Sequence, residues 1–182
     1  MMAAETPKPA SALPQAVCLL GIGGMGMAPL AIYLAQAGCH VSGWDDNLLP
    51  HVRDLLVRNG IEILDTNEPR ETPSLLVRSS AVREDHPLIA QLGGNVRCLR
   101  RGEFLAEIAS GLKLVAIVGS HGKTTTTGML IDMLGDIGFD FSYVLGGLFS
   151  NDAQAPAHYC PDSPWLVAEV DESDGTIEQF SP

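Results

Sequence analysis

The chain has 182 residues, 46% of them hydrophobic, with 22 acidic against 11 basic side chains and a formal net charge of −11. Such a length bounds the answer to one or two domains with a real core. The acidic balance argues against nucleic acid and anionic membranes as partners, and no apolar run approaches the ~20 residues of a membrane span. It does not argue against nucleotides, whose sites are made from local backbone dipoles and a metal ion.

Residues 1–15 are rich in Ala and Pro and lack the basic-then-apolar layout of a secretion signal, so they read as a disordered tail. Residues 16–22 form a predicted strand and residues 25–37 a predicted helix, with Met27, Leu30, Ala31, Leu34 and Ala35 on one face. Pro29 falls near its first turn, where proline is tolerated. A second strand is expected over 40–44 and a second helix over 48–58, stopped by Asn59-Gly60. Strands over 61–64 and 75–78 and short helices over 87–92 and 102–109 complete a first unit, expected to span 16–110. Strand-helix alternation of this kind implies an α/β fold with a parallel sheet covered on both faces.

A second unit is expected over 111–182. It offers a strand at 114–118, a long helix at 123–137, a strand at 141–145, a proline-containing loop at 151–164, and a last strand at 165–169. Three strands and one good helix are few for an independent phosphate-loop domain, so the sequence reads as the front part of a longer enzyme. Cys18, Cys39, Cys98 and Cys160 show no C-x-x-C spacing and are expected to be buried free thiols in a reducing cytoplasm, with Cys18 and Cys39 in strands.

Two glycine loops carry the chemistry. Gly21, Gly23, Gly24, Met25 and Gly26 belong to a G-x-G-x-x-G run between a strand and a helix, and Asp45 ends the second strand. Glycines there allow a tight turn and close approach to a pyrophosphate, and the acid suits a ribose hydroxyl. On pattern this is an NAD-type fingerprint, although a UDP-sugar presents the same groups; glycines placed only for close helix-strand packing are the bland alternative.

The second loop is Gly119, Ser120, His121, Gly122, Lys123, Thr124 and Thr125, between a strand and a helix start. Backbone N–H groups and the helix N-terminus face an anion, lysine adds charge, and the next hydroxyl suits Mg²⁺. It departs from the general phosphate-loop pattern, which wants glycine where Ile117 stands. Four successive threonines are poor helix formers, which points to a job other than propensity. Two nucleotide loops in series, the second followed by acidic residues 169–174, suggest a ligase or transferase; ATP and Mg²⁺ are the expected cofactors. His40, His51, His86 and His158 lack ligand spacing and read as structural or surface residues. Arg100, Arg101 and Glu103 read as interdomain salt-bridge partners.

The chain resembles the Mur ligase family. The resemblance rests on residues 21–27, on Ser42-Gly43-Trp44-Asp45, on Ser79-Ser80-Ala81-Val82, on 119–126 and on Glu169-Val170-Asp171-Glu172-Ser173-Asp174, in that order and spacing. Ala28, Trp44 and Val170 depart from the residues usual in that family. The resemblance implies a Rossmann-like UDP-sugar-binding domain over 16–110, followed over 111–182 by the start of a P-loop ATPase domain.

His121 points to the alanine-adding branch. The implied reaction joins L-alanine to the lactyl carboxylate of UDP-N-acetylmuramate through an acyl phosphate, in the bacterial cytoplasm. Gly21, Gly23, Gly24, Met25, Gly26, Asp45, Ser79, Ser80 and Ala81 would bind the UDP-sugar. Lys123 and His121 would be catalytic, and Thr124 and Glu169 would hold the metal. His121 either touches phosphate or substrate carboxylate or simply fixes the turn. Asp171, Glu172 and Asp174 are either groups behind the metal ligands or a solvated loop. The competing readings are a murein-peptide recycling ligase, a UDP-sugar-binding fragment without turnover, and an NAD-dependent oxidoreductase.

Overall fold

β1 (Ala16–Leu20) sits at the centre of a five-stranded, all-parallel sheet. Its neighbours are β2 (His40–Trp44) and β4 (Leu75–Arg78), with β3 (Glu62–Ile63) and β5 (Arg97–Arg100) at the edges, in the order β3-β2-β1-β4-β5. Val17, Cys18, Leu19 and Leu20 are all buried, as a strand covered on both faces requires. The computed structural model describes residues 13–65, 71–92, 94–149, 154–171 and 175–180. Residues 1–12 of the expected tail, residues 151–153 of the expected loop, and Glu172, Ser173 and Asp174 of the acidic run lie outside the described residues.

Helix α1 (Met27–Gln36) was expected to bury one face; instead every residue from Met27 to Leu34 is buried. One side packs on the first sheet and the other on β7 and β8 of a second sheet. A helix wrapped on all sides carries apolar residues all round, and α1 is therefore the element that joins the two sheets. At its C-terminal end Gln36 accepts from the Tyr159 N–H at 2.9 Å, and Tyr33 meets Tyr159 edge-on at 5.4 Å. The remaining helices of the first part are α2 (Pro50–Arg58), α3 (Pro87–Leu92) and α4 (Arg101–Ala109).

The second sheet contains β6 (Lys113–Ile117), β7 (Ser142–Val144), β8 (Ala157–His158) and β9 (Trp165–Glu169), in the order β6-β9-β7-β8. β6, β9 and β7 run parallel, and β8 closes one edge antiparallel to β7. α5 (Lys123–Asp136) follows β6, and a 3₁₀ turn covers Ile177–Gln179.

Two strands were not expected from the sequence. β5 lies where no element was expected: its sequence Arg-Cys-Leu-Arg carries no strand pattern of its own and is fixed by pairing with β4. β8 falls inside the expected loop and exists through the Tyr143–His158 and Val144–Ala157 pairings. All four cysteines are free, but only Cys18 is fully buried, and Cys39 lies one residue ahead of β2 rather than within it. Among the described residues no helix is long and apolar enough to cross a membrane.

Candidate functional site

The first loop is held down by the end of β2. Gly21 and Ile22 N–H groups donate to the Trp44 carbonyl at 2.8 and 3.2 Å. The Asp45 carboxylate accepts from the Gly23 N–H at 2.8 Å and from the Asn47 N–H at 2.9 Å. Asp45, expected on sequence to face a ribose, here shapes the loop, with Gly26 as the N-cap of α1. Beside it, the Ser79 N–H donates to the Leu20 carbonyl at 3.0 Å, and Ser79 Oγ accepts from the Ala81 N–H at 3.2 Å. The turn after β4 and the turn after β1 therefore meet at the carboxyl ends of their strands, where open parallel sheets bind ligands.

A cavity of about 460 Å³ opens there, lined by Gly21, Trp44, Asp45, Ser79, Ala81 and His86. Trp44 packs at a tilt on His86, ring centres 4.8 Å apart. His86 read as structural or surface on sequence; here it forms the cavity wall, and Leu88 N–H donates to its Nδ1 at 3.3 Å. Nothing in the spacing of the histidines announced this, because the contact is made across the sheet end.

The second loop begins after β6 and ends at Gly122, the α5 N-cap, whose φ of +75° suits glycine. Lys123 Nζ donates to the Gly119 carbonyl at 2.7 Å and lies 3.8 Å from Asp171 Oδ1. The loop is thus folded around its own lysine. Thr124 Oγ1 donates to Glu169 Oε2 at 3.1 Å, and the Gly146 N–H donates to Glu169 Oε1 at 2.8 Å. Thr127 turns back onto its own helix, donating to the Lys123 carbonyl at 2.9 Å.

Both loops open onto one cleft of about 260 Å³. The first part contributes Gly24, Met25, Gly26, Ser79, Ser80 and Arg101, and the second Lys123, Thr124, Gly146, Glu169 and Asp171. Gly119, Ser120, His121, Gly122 and Thr125 do not line this cleft; His121 is exposed and its ring contacts Ser120 Oγ at 3.2 Å. Arg100 pairs with Glu103 at 2.9 Å within the start of α4.

Gly146 escaped the sequence reading as a site residue. A Cβ there would stand 2.2 Å from Glu169 Oε2, so only glycine admits the buried carboxylate. The Gly-Gly pair at the end of β7 was the available signal.

Glu169 is only 5% exposed, and both its oxygens accept from neutral donors. A buried carboxylate satisfied by neutral groups retains a strong preference for a nearby cation. Carboxylate and threonine hydroxyl oxygens are hard ligands of the kind Mg²⁺ takes. The residues present therefore fit a Mg²⁺ ion, although no cluster of three His, Cys, Asp or Glu groups occurs among the described residues.

Fold and cleft together define an α/β protein in which two glycine-rich strand-to-helix loops, one from each sheet, reach a shared charged cleft, the second through Lys123 and Thr124 at its helix start. The model of the Mur ligase family, catalytic domain, matches residues 17–113. The UDP-N-acetylmuramate–L-alanine ligase of Gloeobacter violaceus is 38% identical over 167 residues, covering 90% of this chain and 35% of that protein. Among solved structures, UDP-N-acetylmuramate-alanine ligase from Thermotoga maritima superposes with a TM-score of 0.81 at 27% identity, over 91% of this chain and 39% of that one. A murein peptide ligase from Psychrobacter arcticus gives 0.72 at 26% identity, over 87% of this chain and 38% of that one. The chain belongs to the Mur ligase family. It spans about a third of the length of the curated relatives it matches.

Proposed function

We propose that this chain carries the sugar-nucleotide site and the phosphate-handling half of an ATP-dependent ligase that joins L-alanine to the lactyl carboxylate of UDP-N-acetylmuramate. The observation that carries this reading is the shared cleft, in which the first loop, with Ser79 and Ser80, faces Lys123, Thr124 and Glu169. Residues 16–110 would hold the sugar nucleotide, with its diphosphate on the Gly21–Gly26 loop and the α1 N-terminus and its nucleoside towards Asp45 and Ala81. Residues 111–182 would form the beginning of the ATP-binding unit.

In the implied reaction a carboxylate oxygen attacks the γ-phosphorus of ATP and the bond to ADP breaks, leaving an acyl phosphate. The L-alanine amine then attacks the acyl carbon, the C–O bond to phosphate breaks, and the amine proton leaves as the amide forms. Such chemistry needs positioning and charge neutralisation more than covalent help from the protein. Lys123 leaves the Gly119 carbonyl to neutralise the β- and γ-phosphates. Thr124 and Glu169 would hold Mg²⁺, which when bound supplies charge neutralisation at those phosphates. His121, exposed beside Ser120, would act on phosphate only if the loop closes over it.

The alanine-adding reading is preferred to peptide recycling because relatives at 33–41% identity carry the alanine-ligase name. Calorimetry with UDP-N-acetylmuramate, with NAD⁺ as control, tests the first half. Binding of the sugar nucleotide alone is expected; binding of NAD⁺ alone would reverse the reading in favour of an oxidoreductase.

A further inference from the structure

Arg101 is the first residue of α4 and follows β5 directly, so it stands at the carboxyl rim of the first sheet. Its guanidinium lies flat against the first glycine loop: a Cβ on Gly26 would come within 2.9 Å of Nη1, 3.0 Å of Cζ and 3.2 Å of Nε. Gly26 is the N-cap of α1, and the first N–H groups of that helix, on Met27 and Ala28, donate to the Gly24 carbonyl at 2.9 and 3.0 Å. From there Arg101 lines the same cleft as Lys123. Among the described residues, the charged side chains that line the cleft are two cations, one from each part of the chain, and two carboxylates, Glu169 and Asp171.

This arrangement has a chemical consequence. The carboxylates belong to the second part, where a metal ion would offset them. Among the described residues the first part brings Arg101 to the cleft, placed over the glycine loop. A planar guanidinium offers parallel donors that match phosphate and carboxylate oxygens two at a time, which a lysine does not. Gly26 leaves the room in which that plane sits.

Resting on the sugar-nucleotide reading above, we propose that Arg101 is a binding residue for the sugar nucleotide, gripping an oxyanion of that ligand between Gly26 and the Lys123 side of the cleft. The oxyanion is either the diphosphate or the carboxylate of the sugar's lactyl arm, and the ligand panel separates the two.

The test is calorimetry on the whole chain with UDP-N-acetylmuramate, UDP-N-acetylglucosamine, which lacks the lactyl carboxylate, and ATP. Arg101→Met is expected to weaken UDP-N-acetylmuramate by about 10- to 100-fold while ATP affinity stays within about twofold, a selectivity that general misfolding would not produce. A loss shared by UDP-N-acetylglucosamine assigns the contact to the diphosphate, and a loss confined to the muramate assigns it to the carboxylate. Gly26→Ala, which displaces the guanidinium, is expected to weaken binding too, and the double variant to be no weaker than the sum of the singles predicts. Wild-type protein that binds the sugar nucleotide while Arg101→Met binds it equally well overturns the role of Arg101 alone. Wild-type protein that binds no sugar nucleotide overturns the site reading and this proposal with it.

Discussion

Thr124 Oγ1 and Glu169 Oε2 are hydrogen-bonded at 3.1 Å although 45 positions separate them in the chain. One opens α5 and the other ends β9, and the parallel pairing of β6 with β9 puts Ile117 opposite Glu169. The strand register therefore delivers the carboxylate to the mouth of the phosphate loop. Glu169→Gln keeps the size and an acceptor but removes the charge. Titration of ATP with and without Mg²⁺ is expected to show a metal-dependent gain in affinity for the wild-type chain and to lose most of that gain in the variant. An undiminished gain would place the metal elsewhere.

Lys123 is held by the Gly119 carbonyl at 2.7 Å, so its use on a phosphate requires that bond to break. Lys123→Ala should weaken ATP by about tenfold or more, the scale of a hydrogen bond to a charged group, and leave UDP-N-acetylmuramate affinity unchanged. ATP binding as tight as that of the unmodified chain would remove the lysine from the site.

Two adjacent glycines make a graded comparison. At Gly146 an added methyl meets Glu169 Oε2 at 2.2 Å and Cδ at 2.7 Å, and the carboxylate is buried and hydrogen-bonded. At Gly147 it meets Thr124 Cγ2 at 3.1 Å and the flexible end of Met25 at 3.3 Å. Gly146→Ala should cost about 1–3 kcal/mol through overpacking and Gly147→Ala clearly less. Thermal unfolding of the two variants checks this, and equal losses would contradict it.

The parts legible in the sequence are those whose signal is local. The bounds of β2, β4, α3 and β9 agree with the sequence reading because each is an apolar run closed by a turn residue or a charge. The glycine loops and Lys123-Thr124 were equally local. What was missed depends on pairing or on a distant partner. β5 and β8 exist only through their neighbours, α1 is buried on its second face by a sheet more than a hundred residues away, as the Gln36–Tyr159 contact shows, and Arg101 gains its place from the geometry of Gly26. Trp44, a departure from the family pattern, reads as an isolated substitution until His86 is found against it.

Alkaline pH offers a test of the packing around β1 and α1. Burial pushes the Cys18 thiol from an ordinary 9.0 to about 11, against a smaller opposing effect of its hydrogen bond with Ser42. Burial likewise pushes the Tyr33 hydroxyl from 10.0 to about 12, opposed by a hydrogen bond with Ser142 of the second sheet. Both groups are raised in the folded state, so the unfolded chain gives up its protons first as pH climbs. By linkage, the stability they contribute is complete below about pH 9, falls once the unfolded thiol ionises, and is gone for Cys18 above about 11 and for Tyr33 above about 12. Cys18→Ala should flatten the decline of Tm between pH 9 and 11, and Tyr33→Phe, which keeps the edge-on contact with Tyr159, should flatten it between 10 and 12. Because Tyr33 lies where α1 meets the second sheet, its variant reports on the junction between the sheets, whereas Cys18 reports on the centre of the first. Decline curves that superpose for wild type and both variants would mean that neither group stays protonated in the folded chain beyond its ordinary range.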